Sequence, residues 1–353
     1  MSLTILSVAY PFAPVSADAA GGAEQILHAV DAALVQAGHR SLVVACEGST
    51  TAGTLIEVPA EKDVIDEPAR RRAAARHRAA IQFALSRWRV DLVHLHGVDF
   101  YDYAPRGTPT LVTLHLPVDW YPPGTLSRAL PDRWFNCVSR SQEGTRPGLG
   151  RFLPPIENGI DVGAFGASRK RGFALLLGRI CPEKGIDIAL EAAHLADQDL
   201  IIAGPVFRYP THLDYFETKV RPLLDLRRRF IGPVGLARKR RLLAAARALL
   251  VPSLAAETSS LVAMEALASG TPIVAFPNGA LADIVTHGRT GLLVDSVPQM
   301  AAAMTDAARL EPALCRAEAC ARFSLGRMTK AYLAAYEKLA CEAPKAIAGS
   351  GPC

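Results

Sequence analysis

Apolar residues fall in short runs separated by longer amphipathic stretches along the whole chain. The runs Leu3 to Tyr10, Ser41 to Cys46, Leu92 to His96, Thr110 to His115 and Trp134 to Ser139 have the length and β-branched content of buried strands. Between the first two, Glu24 to Gln36 carries helical periodicity and stops at Gly38. The pattern restarts after Gly159 and a polar, basic join at 168–172, SRKRG. Strands are expected at Ala174 to Leu177, Leu200 to Ala203, Arg229 to Ile231, Ala248 to Val251 and Ile273 to Phe276. Helices are expected at Ile186 to Leu195, Ala237 to Ala246 and Leu261 to Ser269. Strand–helix alternation of this kind predicts an α/β chain with two open parallel sheets. Two such sheets in one chain create a cleft at their carboxyl ends.

Composition agrees with two cores rather than one. The chain has 353 residues, half of them hydrophobic, with 21% charged. Its net charge of +5 favours anionic ligands without demanding nucleic acid, and no nucleic-acid partner is expected. The 7 cysteines are scattered without zinc-ribbon spacing, which suits reduced thiols and a cytoplasmic setting. Cys315 and Cys320 could pair, but neighbours on a surface helix are the simpler reading. The N-terminus reads as a first strand, not as a signal peptide. No apolar run is long enough to span a bilayer, so any membrane contact would be peripheral.

Candidate chemistry concentrates in 251–276, VPSLAAETSSLVAMEALASGTPIVAF. Pro252 ends a strand, Ser259 or Ser260 is placed to cap the helix from Leu261, and Gly270 suits its stop. A helix start outside the carboxyl end of a parallel strand suits a diphosphate. Glu257 in the loop and Glu265 on the helix would repel that phosphate but can accept hydrogen bonds from hydroxyls. A nucleotide sugar offers both groups. In LLLGRICPEKG, a strand ends at Gly178–Arg179 and Lys184 begins the next helix, so two cations converge at the mouth of the second sheet. In PVSADAAGGAE, Gly21–Gly22 lets backbone approach a ligand closely.

These segments resemble retaining glycosyltransferases of family 4, the glycogen-synthase-like "glycosyl transferases group 1". The carriers are E-x7-E before a Gly-Thr-Pro strand, G-R-x-x-x-x-K-G, the double glycine and N-G-I-D at Asn158 to Asp161. The resemblance implies the GT-B fold, in which two Rossmann-like parallel-sheet domains face each other and a C-terminal helix crosses back. The implied division is 1–165 for the acceptor side, 166–325 for the donor side, 326–342 for the returning helix and 343–353 for a disordered tail. It also implies that Gly21, Gly22, Gly178, Arg179, Lys184 and the amides at Ser259, Ser260 and Leu261 meet phosphate or sugar. Glu257 would take sugar hydroxyls, Glu265 the ribose, and His115 would face the transferred sugar. The chain reads E-T-S-S-L where E-P-F-G-L is usual, so Ser260 stands at a common glycine position.

The remaining motifs are read more plainly. His94 is a core histidine, and His115 is preferred over His96 as the active-site residue. Asn158 to Asp161 is read as an Asx-type turn with Gly159 at positive φ. Asn278-Gly279-Ala280 could add backbone donors, with Asp283 following. Trp120 and Tyr121 are acceptor-binding candidates, because aromatic faces pack on sugar rings. Asp197-Gln198-Asp199 spells D-x-D but lies at the amino end of a strand, so it is read as a turn and no metal or cofactor is expected. Basic clusters occur at Arg70 to Arg72 with Arg76 and Arg78, at Arg227 to Arg229, and at Arg238 to Arg241. The first of them could touch an anionic lipid surface, but a solvated face is the simpler reading. The expected function is metal-independent, retaining transfer of a sugar from a nucleotide diphosphate to a hydroxyl acceptor, whether glycan, lipid-linked or small molecule. The alternatives are a GT-B nucleotide-sugar epimerase and a non-catalytic nucleotide-sugar binding protein.

Overall fold

The computed structural model describes residues 2–342 apart from 20, 62–63, 127–129, 147 and 149. The tail 343–353, expected to be disordered, lies outside the described residues. The first sheet holds β1 (Thr4–Val8), β2 (Arg40–Cys46), β3 (Thr54–Val58), β4 (Leu92–Leu95), β5 (Thr110–Leu114) and β6 (Arg133–Cys137). The second holds β7 (Phe173–Leu177), β8 (Asp199–Ala203), β9 (Arg228–Phe230), β10 (Ala248–Val251), β11 (Ile273–Ala275) and β12 (Gly291–Leu293). Their orders are β3-β2-β1-β4-β5-β6 and β12-β11-β10-β7-β8-β9, and every pairing is parallel. The two orders are the same one counted from different ends. The central strands are buried on both faces, which is why β4, β5 and β10 read as unbroken runs. β3 and β12 escaped the sequence reading. Each is a short edge strand, and their half-exposed sequences TLIEV and GLL lack a continuous apolar signal.

The helix Leu325–Glu342 buries Met328, Tyr332, Tyr336 and Leu339, a spacing of three and four that forms one face. That face packs against the helix Gly22–Gln36 and against β4, so this helix covers the first sheet. Burial of each such side chain stabilises the fold by about 1.5–3 kcal/mol.

The chain crosses between the domains twice, and the crossings lie side by side. The Ile160 amide donates to the Phe323 carbonyl at 2.9 Å, and the Leu325 amide donates to the Ile160 carbonyl at 2.8 Å. This corrects the expected role of Gly159, which is absent from the left-handed glycines. A Cβ there would lie 2.6 Å from the Ser324 carbonyl oxygen, so glycine is needed for close approach of the two crossings and not for a positive φ.

Candidate functional site

In open parallel sheets, ligands bind where neighbouring connections leave in opposite directions. Those points lie between β1 and β4 in one sheet and between β7 and β10 in the other, and the two face each other. The cleft between them has a volume of about 600 Å³ and takes residues from both domains. A larger concavity of about 1000 Å³ lies elsewhere, lined by Arg169, Arg171, Arg238 and Arg241, and contains none of the expected site residues.

On the donor side, Gly178 and Arg179 leave β7 and line the cleft. Arg179 is half-buried and, among the described residues, has no acidic partner within ion-pairing distance. Lys184 does not begin a helix, as the spacing suggested. It closes a single turn, Pro182–Lys184, and left-handed Gly185 (φ 61°) separates it from the helix Ile186–Leu195. The break turns the ammonium back into the cleft, where it pairs with the Glu257 carboxylate. Ser253 also donates to that carboxylate. The loop bearing Glu257 is clamped by the 278–280 turn: Glu257 donates its amide to Asn278, and Ala280 donates to the Glu257 carbonyl at 2.7 Å. The Ala280 amide is therefore spent on the loop and is not offered to a ligand. Asp283 is exposed on a short helix away from the cleft lining.

Ser259, Ser260 and Leu261 lie together at the start of the helix Leu261–Ala268. Ser260 holds the N-cap position, yet its side chain makes no cap bond, so the first-turn amides receive nothing from it. The expected N-cap position is therefore held by Ser260, but without the side-chain bond that usually accompanies it. Ser260 has φ −117°, an ordinary extended value, so the serine stands there without conformational cost. Ser259 Oγ is buried and, among the described residues, has no hydrogen-bond partner. Across the cleft, Gly22 lies against this helix start: a Cβ on it would sit 3.3 Å from Leu261 Cδ1. Gly21 and Gly22 also line the cleft, so the first-domain loop reaches the donor side.

Glu265 is buried, and its partner was not anticipated. Lys239, inside the basic run 238–241, donates to Glu265 at 2.6 Å. Burial raises the Glu265 carboxyl above the usual range, and Lys239 opposes that shift. The only sequence signal was a lysine on the helix Leu236–Ala245, which reads as one more surface charge.

His96 and His115 both line the cleft and are bonded to one another at 3.0 Å, while His94 lies wholly inside. Burial lowers His115 to about 3, so the ring is neutral at physiological pH. Trp120 is 43% exposed at the cleft wall. Tyr121 is not available to an acceptor. It is 5% exposed, packs its ring 6.1 Å from that of Phe100, and its hydroxyl accepts from the Leu116 amide. The motif W-Y thus splits between a cleft face and a core.

Glu24 was also overlooked. It sits in the first turn of the helix Gly22–Gln36, buried in the cleft wall, and burial pushes its carboxyl up to about 7. The Arg179 charge works against that shift. A folded state that holds this proton more tightly than the unfolded chain gains stability at low pH and loses it as pH rises. The loss runs from the ordinary value of 4.5 to about 7 and amounts to roughly 3 kcal/mol. Glu24→Gln is therefore expected to raise the thermal midpoint at pH 8 while leaving it nearly unchanged at pH 4.5 or below. Equal shifts at both values would contradict the assignment.

Most of the other charged motifs lie outside the cleft. Asp197 and Asp199 pair with Arg227 at the amino end of β8. Arg71 pairs with Glu67 on a solvated face, while Arg72 and Arg76 pair with Glu61, whose side chain is largely covered. Arg70 instead lines the cleft, 6.0 Å from the Tyr209 ring. Cys315 and Cys320 are both free, one buried and one exposed. Among the described residues, no helix is long and apolar enough to cross a membrane.

Residues 20–141 match the family model "Glycosyltransferase Family 4", and residues 172–309 match "Glycosyl transferases group 1". Glycogen synthase of Mycobacterium tuberculosis is 30% identical over 373 residues, which cover 87% of this chain and 85% of that one. D-inositol 3-phosphate glycosyltransferase of Corynebacterium efficiens is 39% identical over 127 residues. That alignment takes in 34% of this chain and only 30% of the relative's length. Among solved structures, sucrose-phosphate synthase from Thermosynechococcus elongatus superposes with a TM-score of 0.80 at 20% identity, covering 96% of this chain and 99% of its own. Anabaena Alr3699/HepE in complex with UDP-glucose gives 0.69 at 19%, covering 95% and 100%. The two solved structures share the two-sheet GT-B fold described above.

Proposed function

The chain belongs to glycosyltransferase family 4 and is a glycosyltransferase that takes a nucleotide sugar as donor; from that premise we propose metal-independent transfer, with retention, to a hydroxyl acceptor. The observation that carries this reading is the convergence of Arg179 and Lys184 beside an uncapped helix start. A departing diphosphate accumulates negative charge, and two cations with free amides are suited to stabilise it where it forms. They supply the positive charge that a divalent ion would otherwise provide. Glu257, held by Lys184 and Ser253, takes the hydroxyls of the transferred sugar. It is too deeply engaged to act as a nucleophile. The leaving phosphate itself then receives the acceptor's proton on the same face, which places the new bond where the old one was.

Glu265 takes the ribose hydroxyls, with Lys239 holding its charge. Trp120 offers an exposed ring face to an acceptor sugar. The acceptor is a carbohydrate, a lipid-linked sugar or a small molecule bearing a hydroxyl. Transfer is expected to persist in excess EDTA, and NMR of the product to show the donor's anomeric configuration. An inverted linkage would overturn the retaining assignment, and loss of activity restored by a divalent ion would overturn metal independence.

A further inference from the structure

Three histidines run from the cleft into the first domain and end on a side-chain amide. We infer that Asn136, on β6 and away from the cleft, dictates which nitrogen of His115 carries the proton, so that the imidazole offers the cleft an acceptor and not a donor. The argument proceeds inward to outward, one hydrogen at a time. Asn136 Nδ2 lies 3.3 Å from the Cys137 carbonyl, which can only accept, so the amide is oriented with Oδ1 toward Thr113. Oδ1 can only accept as well, so the Thr113 hydroxyl donates to it across 2.7 Å. With its one hydrogen committed, Thr113 Oγ1 accepts from His94 Nε2–H, also at 2.7 Å.

His94 is neutral, because burial holds it well below the ordinary histidine value. Its Nδ1 is then bare, and its one lone pair is shared between the Tyr336 hydroxyl at 2.7 Å and His96 Nε2 at 3.1 Å, which must carry a hydrogen because two bare nitrogens would repel. His96 is neutral for the same reason, so its Nδ1 is bare and accepts from His115 Nε2–H at 3.0 Å. What remains on His115 is an unprotonated Nδ1. Each link follows from the donor and acceptor capacity of its neighbour, and no link can be reversed without leaving two acceptors face to face. The role rests on the proposed glycosyl transfer: a bare Nδ1 receives a hydroxyl of the bound sugar, and a group without a hydrogen to give is turned away. Asn136 and Thr113 are thus positioning residues, acting on ligand only through the two histidines.

The test uses the full-length enzyme labelled with 15N-histidine and long-range proton–nitrogen correlation spectra. For the free wild-type enzyme, His115 is expected to show a protonated Nε2 and a bare Nδ1. Asn136→Leu frees the Thr113 hydroxyl to donate toward His94, and the His115 nitrogens are expected to move toward the opposite form. Thr113→Val breaks the same chain at its next link and serves where Asn136→Leu does not fold, and Thr113→Ser is expected to restore the wild-type nitrogen pattern. Either disruptive variant is expected to lower kcat about tenfold, the worth of one hydrogen bond, with little change in the donor KM. A wild-type His115 protonated on Nδ1 would overturn the inference, as would nitrogen spectra unmoved by both disruptive variants. The expected wild-type spectrum in an enzyme that transfers no sugar would uphold the tautomer and overturn the reaction.

Discussion

Lys184→Ala is expected to lower kcat/KM for sugar transfer by about 10²–10³-fold, most of it in kcat. In the proposed mechanism the ammonium faces the place where negative charge grows as the donor bond breaks, so its contribution is expected to be larger in the transition state than in the bound donor. The variant has a second effect, because Lys184 also compensates Glu257. That carboxylate would keep only the Ser253 hydroxyl, at a cost to folding of about 1–3 kcal/mol. Glu257→Gln separates the two effects. Added to Lys184→Ala, it removes the unpaired charge, so the double variant should recover stability while remaining inactive. Steady-state kinetics together with thermal melts read both effects, and near-normal turnover in Lys184→Ala would remove this residue from the site.

The largest stability effect is expected at Lys239. Both partners of the Lys239–Glu265 pair are nearly inaccessible, with side chains 14% and 5% exposed. Truncating the lysine strands a buried carboxylate, which costs about 3–5 kcal/mol at neutral pH. The pH dependence has a definite sign. Glu265 is already raised by burial, and without Lys239 it rises further, so the folded variant holds a proton that the unfolded chain releases. The deficit should be smallest below the ordinary glutamate value of 4.5 and grow as pH rises above it. Lys239→Met combined with Glu265→Leu should regain most of the stability in denaturant melts, since an apolar pair of similar volume fills the same space. It should not regain donor affinity. A double variant that binds donor normally would show that the ribose contact lies elsewhere.

The α/β class and both sheets were legible because strands buried on two faces leave unbroken apolar runs. The helix Ile186–Leu195 and the strand Ala248–Val251 fall where the periodicity puts them. Placement in the cleft was legible where backbone and charge coincide, as at Gly178–Arg179 and Glu257. Four side chains were not. Lys239 and Glu24 are identical in sequence to surface charges, and only the fold carries one under Glu265 and the other into the cleft wall. Tyr121 adjoins Trp120 in sequence, but the turn points the neighbours in opposite directions, and spacing alone carries no such information. Asn136 is invisible for a different reason. Its influence on His115 passes through parallel strands in register, a connection that exists only after the sheet has formed.

The paired crossings at Ile160 and Ser324 also constrain how the cleft can open. Two connections at separate places would let the domains shear or translate, but two that are hydrogen-bonded together make one pivot line. A swing about that line is the motion such a joint favours, and it is expected to carry Gly22 away from Leu261 as the mouth widens. Ligand capture should then register in solution scattering as a smaller radius of gyration with both sheets unchanged internally.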